Sequence, residues 1–208
     1  DDALTRALAE RLRHLAIDTD PMRLHLSVAC VRIGDRGVVL VSPPGEAAGD
    51  ADHLTLLVAE LLEIGADFVT TTMLSLLPGS RTVFGWPSPP STATHPPVRA
   101  SHAAPVVPYV AVDHVAVIAR SGDSPTAPGE LDLADATVAL LGAAMDADRI
   151  GPAALDVIAH VVAGARCTRF GRAEPSATAA SVTAAVASAA PTRPAPLCVV
   201  HRFDRGHR

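Results

Sequence analysis

The residues best placed to do chemistry lie where an apolar, strand-like run meets a segment rich in proline and glycine. Residues 38–41 form that run, residues 42–52 read as a loop, and residues 54–64 continue as an apolar-periodic helix. Glycines that allow close approach, followed by the free N–H groups of a helix N-terminus, favour a phosphate-binding loop. The candidate residues of this loop are Ser42, Gly45, Glu46, Gly49 and Asp50.

The loop lacks residues that phosphate-binding loops use for catalysis. Phosphate loops use a Lys on the outer phosphates, a Ser or Thr on Mg²⁺ and a downstream acidic residue. All 17 basic residues of this chain are Arg, so it offers no Lys. Glu46, Asp50 and Asp52 put negative charge into the loop, which repels phosphate.

The elements that would position this loop alternate between strand and helix, which predicts an α/β domain with a mixed sheet and flanking helices. We expect an N-terminal amphipathic helix in residues 1–20, a single domain in residues 21–200 and a polar tail in residues 201–208. The predicted strands are 24–33, 38–41, 68–72, 73–77, 82–86, 109–119, 166–170 and 197–200, with 166–170 at a sheet edge. The predicted helices are 3–16, 54–64, 133–145, 153–163 and 176–189, and Asp132 is the expected cap of the third.

This order of parts resembles the HPr kinase/phosphorylase family of P-loop folds over roughly residues 22–170. The matching positions are Leu24-His25-Leu26, Gly34-Asp35-Arg36-Gly37, Ser42-Pro43-Pro44-Gly45, Gly65-Ala66-Asp67 and Gly85-Trp86-Pro87. In the family a His precedes the hairpin that leads into the phosphate loop, and His25 occupies that position. The resemblance implies a P-loop-kinase-like fold in which the loop would hold a nucleotide.

The departures from the family pattern change the expected function. The chain has Ala47-Ala48-Gly49 where the family has its Lys, and Thr70 and Thr71 stand where it has paired Asp residues. Thr hydroxyls are neutral and replace carboxylates poorly on Mg²⁺. The resemblance therefore implies a non-catalytic, degenerate scaffold without a nucleotide cofactor or metal, which binds a peptide or protein partner in an accessory role. The segments 87–108 and 121–129 are the expected walls of its groove.

Other readings of the sequence stay open beside this one. An active kinase-like phosphotransferase could use Arg36 or Arg81 in place of the missing Lys, and an unrelated α/β domain is also compatible with the pattern. A hydrolase with Ser42 as nucleophile is disfavoured, because the two prolines that follow it remove N–H groups from an oxyanion hole. His25 can also be a hydrogen-bonded residue at the end of a sheet.

The composition of the chain limits the classes of partner that it could bind. A net charge of -5 with dispersed Arg favours neither nucleic acid nor an anionic membrane. The three cysteines, Cys30, Cys167 and Cys198, predict free thiols and a cytoplasmic location. The spacing of His95, His102 and His114 matches no metal site. A homodimer is possible, and Trp86 fits either a core or a recognition surface.

Overall fold

The computed structural model describes residues 8, 11–12, 14–15, 17–20, 22–42, 49–86, 105–119 and 127–189. Its strands are β1 (Leu24–Leu26), β2 (Ala29–Ile33), β3 (Arg36–Val41), β4 (Asp67–Thr70), β5 (Leu74–Leu76), β6 (Thr82–Gly85), β7 (Tyr109–Ile118), β8 (Gly129–Glu130) and β9 (Arg166–Phe170). Its helices are α1 (Gly49–Glu63), α2 (Leu133–Gly142), α3 (Ala147–Ile150), α4 (Pro152–Gly164) and α5 (Pro175–Ser188). The mixed α/β architecture predicted from the sequence is present.

The long strand β7 is the centre of the sheet. The strand order is β1-β5-β6-β7-β3-β2-β4, and β9 also pairs with β7. Strands β3 and β9 run parallel to β7, whereas β6 pairs antiparallel with its first residues. Three parallel strands therefore lie side by side and end at one edge, which is where α/β proteins commonly bind ligands.

Apolar side chains fill both faces of this sheet. Successive residues of a strand point to opposite faces, so Val39 and Val41 pack with α2 and α4, whereas Val38 and Leu40 pack with α1 and α5. All four side chains are almost fully buried. The continuous apolar run of β3 thus reflects a strand covered by helices on both sides.

The structure corrects several element boundaries. Residues 24–33 form two strands instead of one: β1 pairs with β5, whereas β2 pairs with β3 and β4. The two strands are separated at Ser27, whose backbone N–H donates to the carbonyl of Ala143 at 2.7 Å and not to a neighbouring strand. Strand β9 is not an edge, since β8, which begins at the last residue of the segment 121–129, pairs with it. The short helix α3 was not predicted.

Other predictions agree with the structure. Asp132 caps α2, and its carboxylate accepts a hydrogen bond from the N–H of Asp135 at 2.7 Å. The predicted alanine-rich helix 176–189 is present as α5. The structure adds that this helix packs on its own chain through Ala179, Val182 and Val186, which the sequence did not decide. The predicted helix 3–16 lies partly outside the described residues, and those that are described are helical. The predicted strand 197–200 lies outside them altogether.

Candidate functional site

The phosphate loop predicted from the sequence follows β3, at the carboxyl edge of the parallel strands. Strand β3 ends at Val41, Ser42 follows it half-buried, and α1 begins at Gly49. The strand–segment–helix order is therefore present. Gly45 and Glu46 lie outside the described residues. Gly49 and Asp50 belong to the first turn of α1. The predicted boundary between loop and helix was therefore wrong, since the helix begins five residues earlier than its apolar pattern indicates.

Thr70 lies at the same edge but serves a structural purpose. Because β4 runs in the same direction as β3, with the antiparallel strand β2 between them, Thr70 lies roughly 10 Å from β3. Its buried hydroxyl donates to the carbonyl of Trp86 at 2.7 Å and accepts from the N–H groups of Thr72 and Met73 at 3.2 and 3.3 Å. The hydroxyl thus holds the turn between β4 and β5. Thr71 follows in that turn, half-buried.

We expect the substitution Thr70→Val to lower the free energy of unfolding by about 1–3 kcal/mol, because it keeps the shape of the side chain but leaves buried backbone groups without their partner. Urea denaturation would measure the change. Thr137→Val is a matched control, since its hydroxyl bonds the carbonyl of Leu133 within the same helix at 2.6 Å. A loss at Thr70 no larger than at Thr137 would contradict this assignment.

The two arginines considered as substitutes for the missing Lys lie at the opposite edge of the sheet. The guanidinium of Arg36, at the start of β3, donates to the carbonyls of Val186 and Ala189 at 2.5 and 2.9 Å. Arg81 donates to the carbonyl of Gly164, just before β9 begins. Both groups therefore cap helix C-termini at the amino ends of the parallel strands, roughly 20 Å from their carboxyl ends. This placement does not support either Arg as a phosphate ligand.

A small cavity of about 90 Å³ opens beside the carboxyl end of β9. Its lining residues are Ala127, Pro128, Phe170, Gly171, Ala173, Ala177, Thr178 and Ser181. Pockets for ligands of drug size have volumes of roughly 300–1,000 Å³, so this cavity does not fit a nucleoside triphosphate.

On the neighbouring helix α1, burial lowers the pKa of His53, and the carboxylate of Glu174 partly opposes that effect.

His25 belongs to a buried charge network and not to the carboxyl edge. The carboxylate of Asp146 accepts from the His25 backbone N–H at 3.0 Å, from its ring Nδ1 at 2.9 Å and from Arg149 at 2.5 Å. Because an ionised carboxylate only accepts, the Nδ1 atom carries a hydrogen. Both His25 and Asp146 are buried, so the network joins β1 to α3 out of reach of a substrate. His25 is therefore a buried, hydrogen-bonded residue of the outermost strand β1, and it does not point to solvent.

Of the three histidines considered as metal ligands, only His114 lies among the described residues. His114 is buried in β7, and its Nε2 atom lies 3.0 Å from the hydroxyl of Thr168. His95 and His102 lie outside the described residues. Within the part of the chain that the structure describes, no group of three His, Cys, Asp or Glu side chains could hold a metal ion.

A cluster that the sequence did not reveal lies where β6 meets β7, and we call it the aromatic face: Arg23, Phe84, Trp86 and Tyr109. The guanidinium carbon of Arg23 lies 4.6 Å from the centre of the Phe84 ring. The rings of Phe84 and Tyr109 are opposite each other across the two strands, 6.2 Å apart. Trp86 is two residues beyond Phe84, and strand alternation puts both on one side.

The aromatic face is exposed although the chain has few aromatic residues. Of one Trp, one Tyr and four Phe, the Trp, the Tyr and one Phe are here. Tyr109 is 59% exposed and Trp86 is 37% exposed, and the neighbouring Met22 is 71% exposed. Protein interfaces are enriched in Trp, Tyr, Phe, Met and Arg. Trp86 is thus partly exposed and is not a buried core residue.

Comparisons with known proteins find only a distant similarity. No protein-family model matches the chain, and no curated protein matches it. Among solved structures, the Hpr(Ser) kinase/phosphatase from Coxiella burnetii is 12% identical, with 78% of this chain and 96% of that chain covered and a TM-score of 0.47. So distant a match does not establish a shared chemical activity, so the function of this chain has to be inferred from its own residues. The helices that the structure describes include none long and apolar enough to cross a membrane.

Proposed function

We propose that this chain is a non-catalytic scaffold that binds a peptide or protein partner through the aromatic face. The observation that carries the proposal is the exposure of Trp86 and Tyr109 together with the Arg23–Phe84 contact. Large rings left in water have an unfavourable free energy that a partner can relieve, at about 25 cal/mol for each Å² of apolar surface covered. Aromatic and Arg side chains also dominate the energetics of interfaces.

The position of the aromatic face changes the expected binding groove. The segments 87–108 and 121–129 were expected to form its two walls. The described parts of these segments meet β7 at its opposite ends, since residues 105–108 precede Tyr109 and residues 127–129 lie beside β9. Those ends are roughly 30 Å apart for a ten-residue strand. The partner therefore contacts the amino end of β7, beside the segment that joins Trp86 to Tyr109.

We also propose that the chain does not catalyse phosphoryl transfer. The chain has no Lys, Thr70 is engaged in a turn, and both candidate arginines lie at the other edge. Removal of one cation from a phosphoryl-transfer site costs on the order of 10³–10⁵ in rate. We expect calorimetric titration with ATP and Mg²⁺ to give no saturable binding, and a micromolar Kd would favour the phosphotransferase alternative.

A peptide-display selection tests the binding proposal. The wild-type chain is the bait, and the variant with both Phe84→Ser and Tyr109→Ser is the counter-bait. Ile64→Ser is the matched control, because Ile64 is 55% exposed, follows α1 and is not one of the four residues of the aromatic face. We expect selected peptides to bind the double variant at least about 10-fold more weakly and the control unchanged. Failure to enrich any peptide, or equal binding to all three chains, would overturn the proposal.

A further inference from the structure

Two apolar surfaces outside the aromatic face are uncovered in a single chain. We call the first the leucine arm: Leu8, Leu12 and Leu15, which are 58%, 42% and 55% exposed. Their spacing of four and three residues places them on one side of the N-terminal helix. The arm is continuous with the folded domain, since Ile17 is buried and the hydroxyl of Thr19 donates to the carbonyl of Leu15 at 2.8 Å.

We call the second surface the α2 outer face: Leu133, Ala134, Thr137, Val138 and Leu141. Leu133, Val138 and Leu141 are 56%, 60% and 37% exposed, while the opposite side of α2 is buried in the core. An exposed apolar stripe on a helix commonly marks a contact with another helix or another chain. The α2 outer face therefore needs an occupant that a single chain does not supply.

The charges around the two surfaces are complementary. Residues 3–16 hold three Arg and one Glu. Residues 131–163 hold four exposed Asp and one Arg, and one of those Asp residues, Asp135, also contacts Arg169 at 3.6 Å. Two copies of the α2 outer face, placed against each other, would bring aspartates together. A basic arm against this acidic region has favourable electrostatics, which steers association and disfavours the wrong pairing.

The dimensions of the two surfaces also agree. The arm extends over eight residues from Leu8 to Leu15, or about 10 Å of helix, and the α2 outer face extends over nine residues from Leu133 to Leu141, or about 12 Å. Ala134 and Thr137 are small residues within the face, and they leave a groove that leucine side chains can enter. Both surfaces are exposed in one chain, so the arm does not cover its own α2.

We propose that two copies of the chain form a closed dimer in which the leucine arm of each copy docks on the α2 outer face of the other. Such reciprocal exchange obeys two-fold symmetry and leaves no free arm for further growth. It covers both apolar surfaces at once.

Sedimentation velocity of the full chain tests this dimer. We expect a dimer for the wild type, and we expect Leu12→Asp and Val138→Asp each to raise the dimer Kd at least about 30-fold. Ile64→Asp is the control and should remain dimeric. The Val138→Asp variant keeps an intact arm, and the Leu12→Asp variant keeps an intact α2 outer face. A mixture of the two variants should therefore partly recover the dimer. Circular dichroism would confirm that each variant is folded.

Cysteine cross-linking separates the reciprocal dimer from other arrangements. Burial raises the pKa of Cys167 to about 11 and raises that of Cys30 as well, which makes both thiols unreactive. With Cys198→Ser as background, oxidation should link Leu12→Cys to Val138→Cys only when the two variants are mixed. Val138→Cys linking to itself, a Leu12→Asp variant that stays dimeric, a monomeric wild type or open-ended oligomers would each overturn the proposal.

Discussion

Replacement of Asp146 by Ala is expected to lower the free energy of unfolding by about 3–5 kcal/mol, the range measured when one partner of a buried charge pair is removed. The carboxylate is 3% exposed and accepts from the backbone and ring of His25 and from the guanidinium of Arg149. Its loss leaves two buried donors of β1 without an acceptor. The free energy from urea denaturation, with an unchanged m-value, measures the effect.

Asp148→Ala is the matched control for that experiment. Asp148 is exposed on the same short helix, and exposed substitutions usually change stability by less than about 0.5 kcal/mol. Asp146→Asn should fall between the two, because its carbonyl oxygen still accepts a hydrogen bond but lacks the charge. Equal effects of Asp146→Ala and Asp148→Ala would show that the network does not hold β1 to α3.

The same network has a predictable response to acid. Burial alone would raise the pKa of Asp146, but the hydrogen bonds from His25 and Arg149 outweigh burial and hold that pKa below its ordinary value. The carboxylate therefore contributes stability above about pH 4, the pKa of an unfolded Asp. That contribution is lost as the pH falls through the lower pKa of the folded state.

His114 is expected to make the protein lose roughly 3 kcal/mol of stability between about pH 6.5 and pH 4. Burial, followed by the positive charges of Arg166 and Arg36, lowers its pKa to about 4. Above about pH 6.5 the ring is neutral in both the folded and the unfolded state. Below that pH the unfolded state binds a proton that the folded state does not, so the free energy of unfolding falls.

The double variant with His114→Leu and Thr168→Val isolates this contribution. It replaces both partners of the 3.0 Å hydrogen bond with apolar groups, a change that can be nearly neutral at neutral pH. From near pH 7 to near pH 5 the wild type should lose about 2 kcal/mol more than the double variant. Urea denaturation at the two pH values provides the comparison, and equal losses would show that His114 titrates normally in the folded chain.

Local sequence signals predicted the parts of the fold that depend on neighbouring residues. The turn at Gly34 and Asp35 joins β2 to β3 in a paired hairpin, since glycine there adopts a positive φ of 64°. The apolar run 109–119 closely matches β7, and residues 166–170 match β9. Each of these strands is a short segment that lies between clear breaks and is rich in apolar or alternating side chains, so its pattern was sufficient.

Contacts between distant residues could not be predicted in this way. Asp146 is 121 residues from His25, and nothing near either residue marks it as a partner. The aromatic face depends on the pairing of Phe84 with Tyr109, across a segment of more than 20 residues. The alternation of Phe84 and Trp86 was the available signal, and it indicated a shared side without indicating that this side is exposed.

The most direct test of the proposed function uses the single Trp of the chain as a reporter. Trp86 lies in the aromatic face and is partly exposed, so a bound partner must change its surroundings. Titration of the wild-type chain with a selected peptide that lacks Trp should give a saturable blue shift of the fluorescence emission, and the variant with Phe84→Ser and Tyr109→Ser should lose most of it. A peptide that binds by calorimetry while the Trp86 emission stays unchanged would contradict binding at the aromatic face.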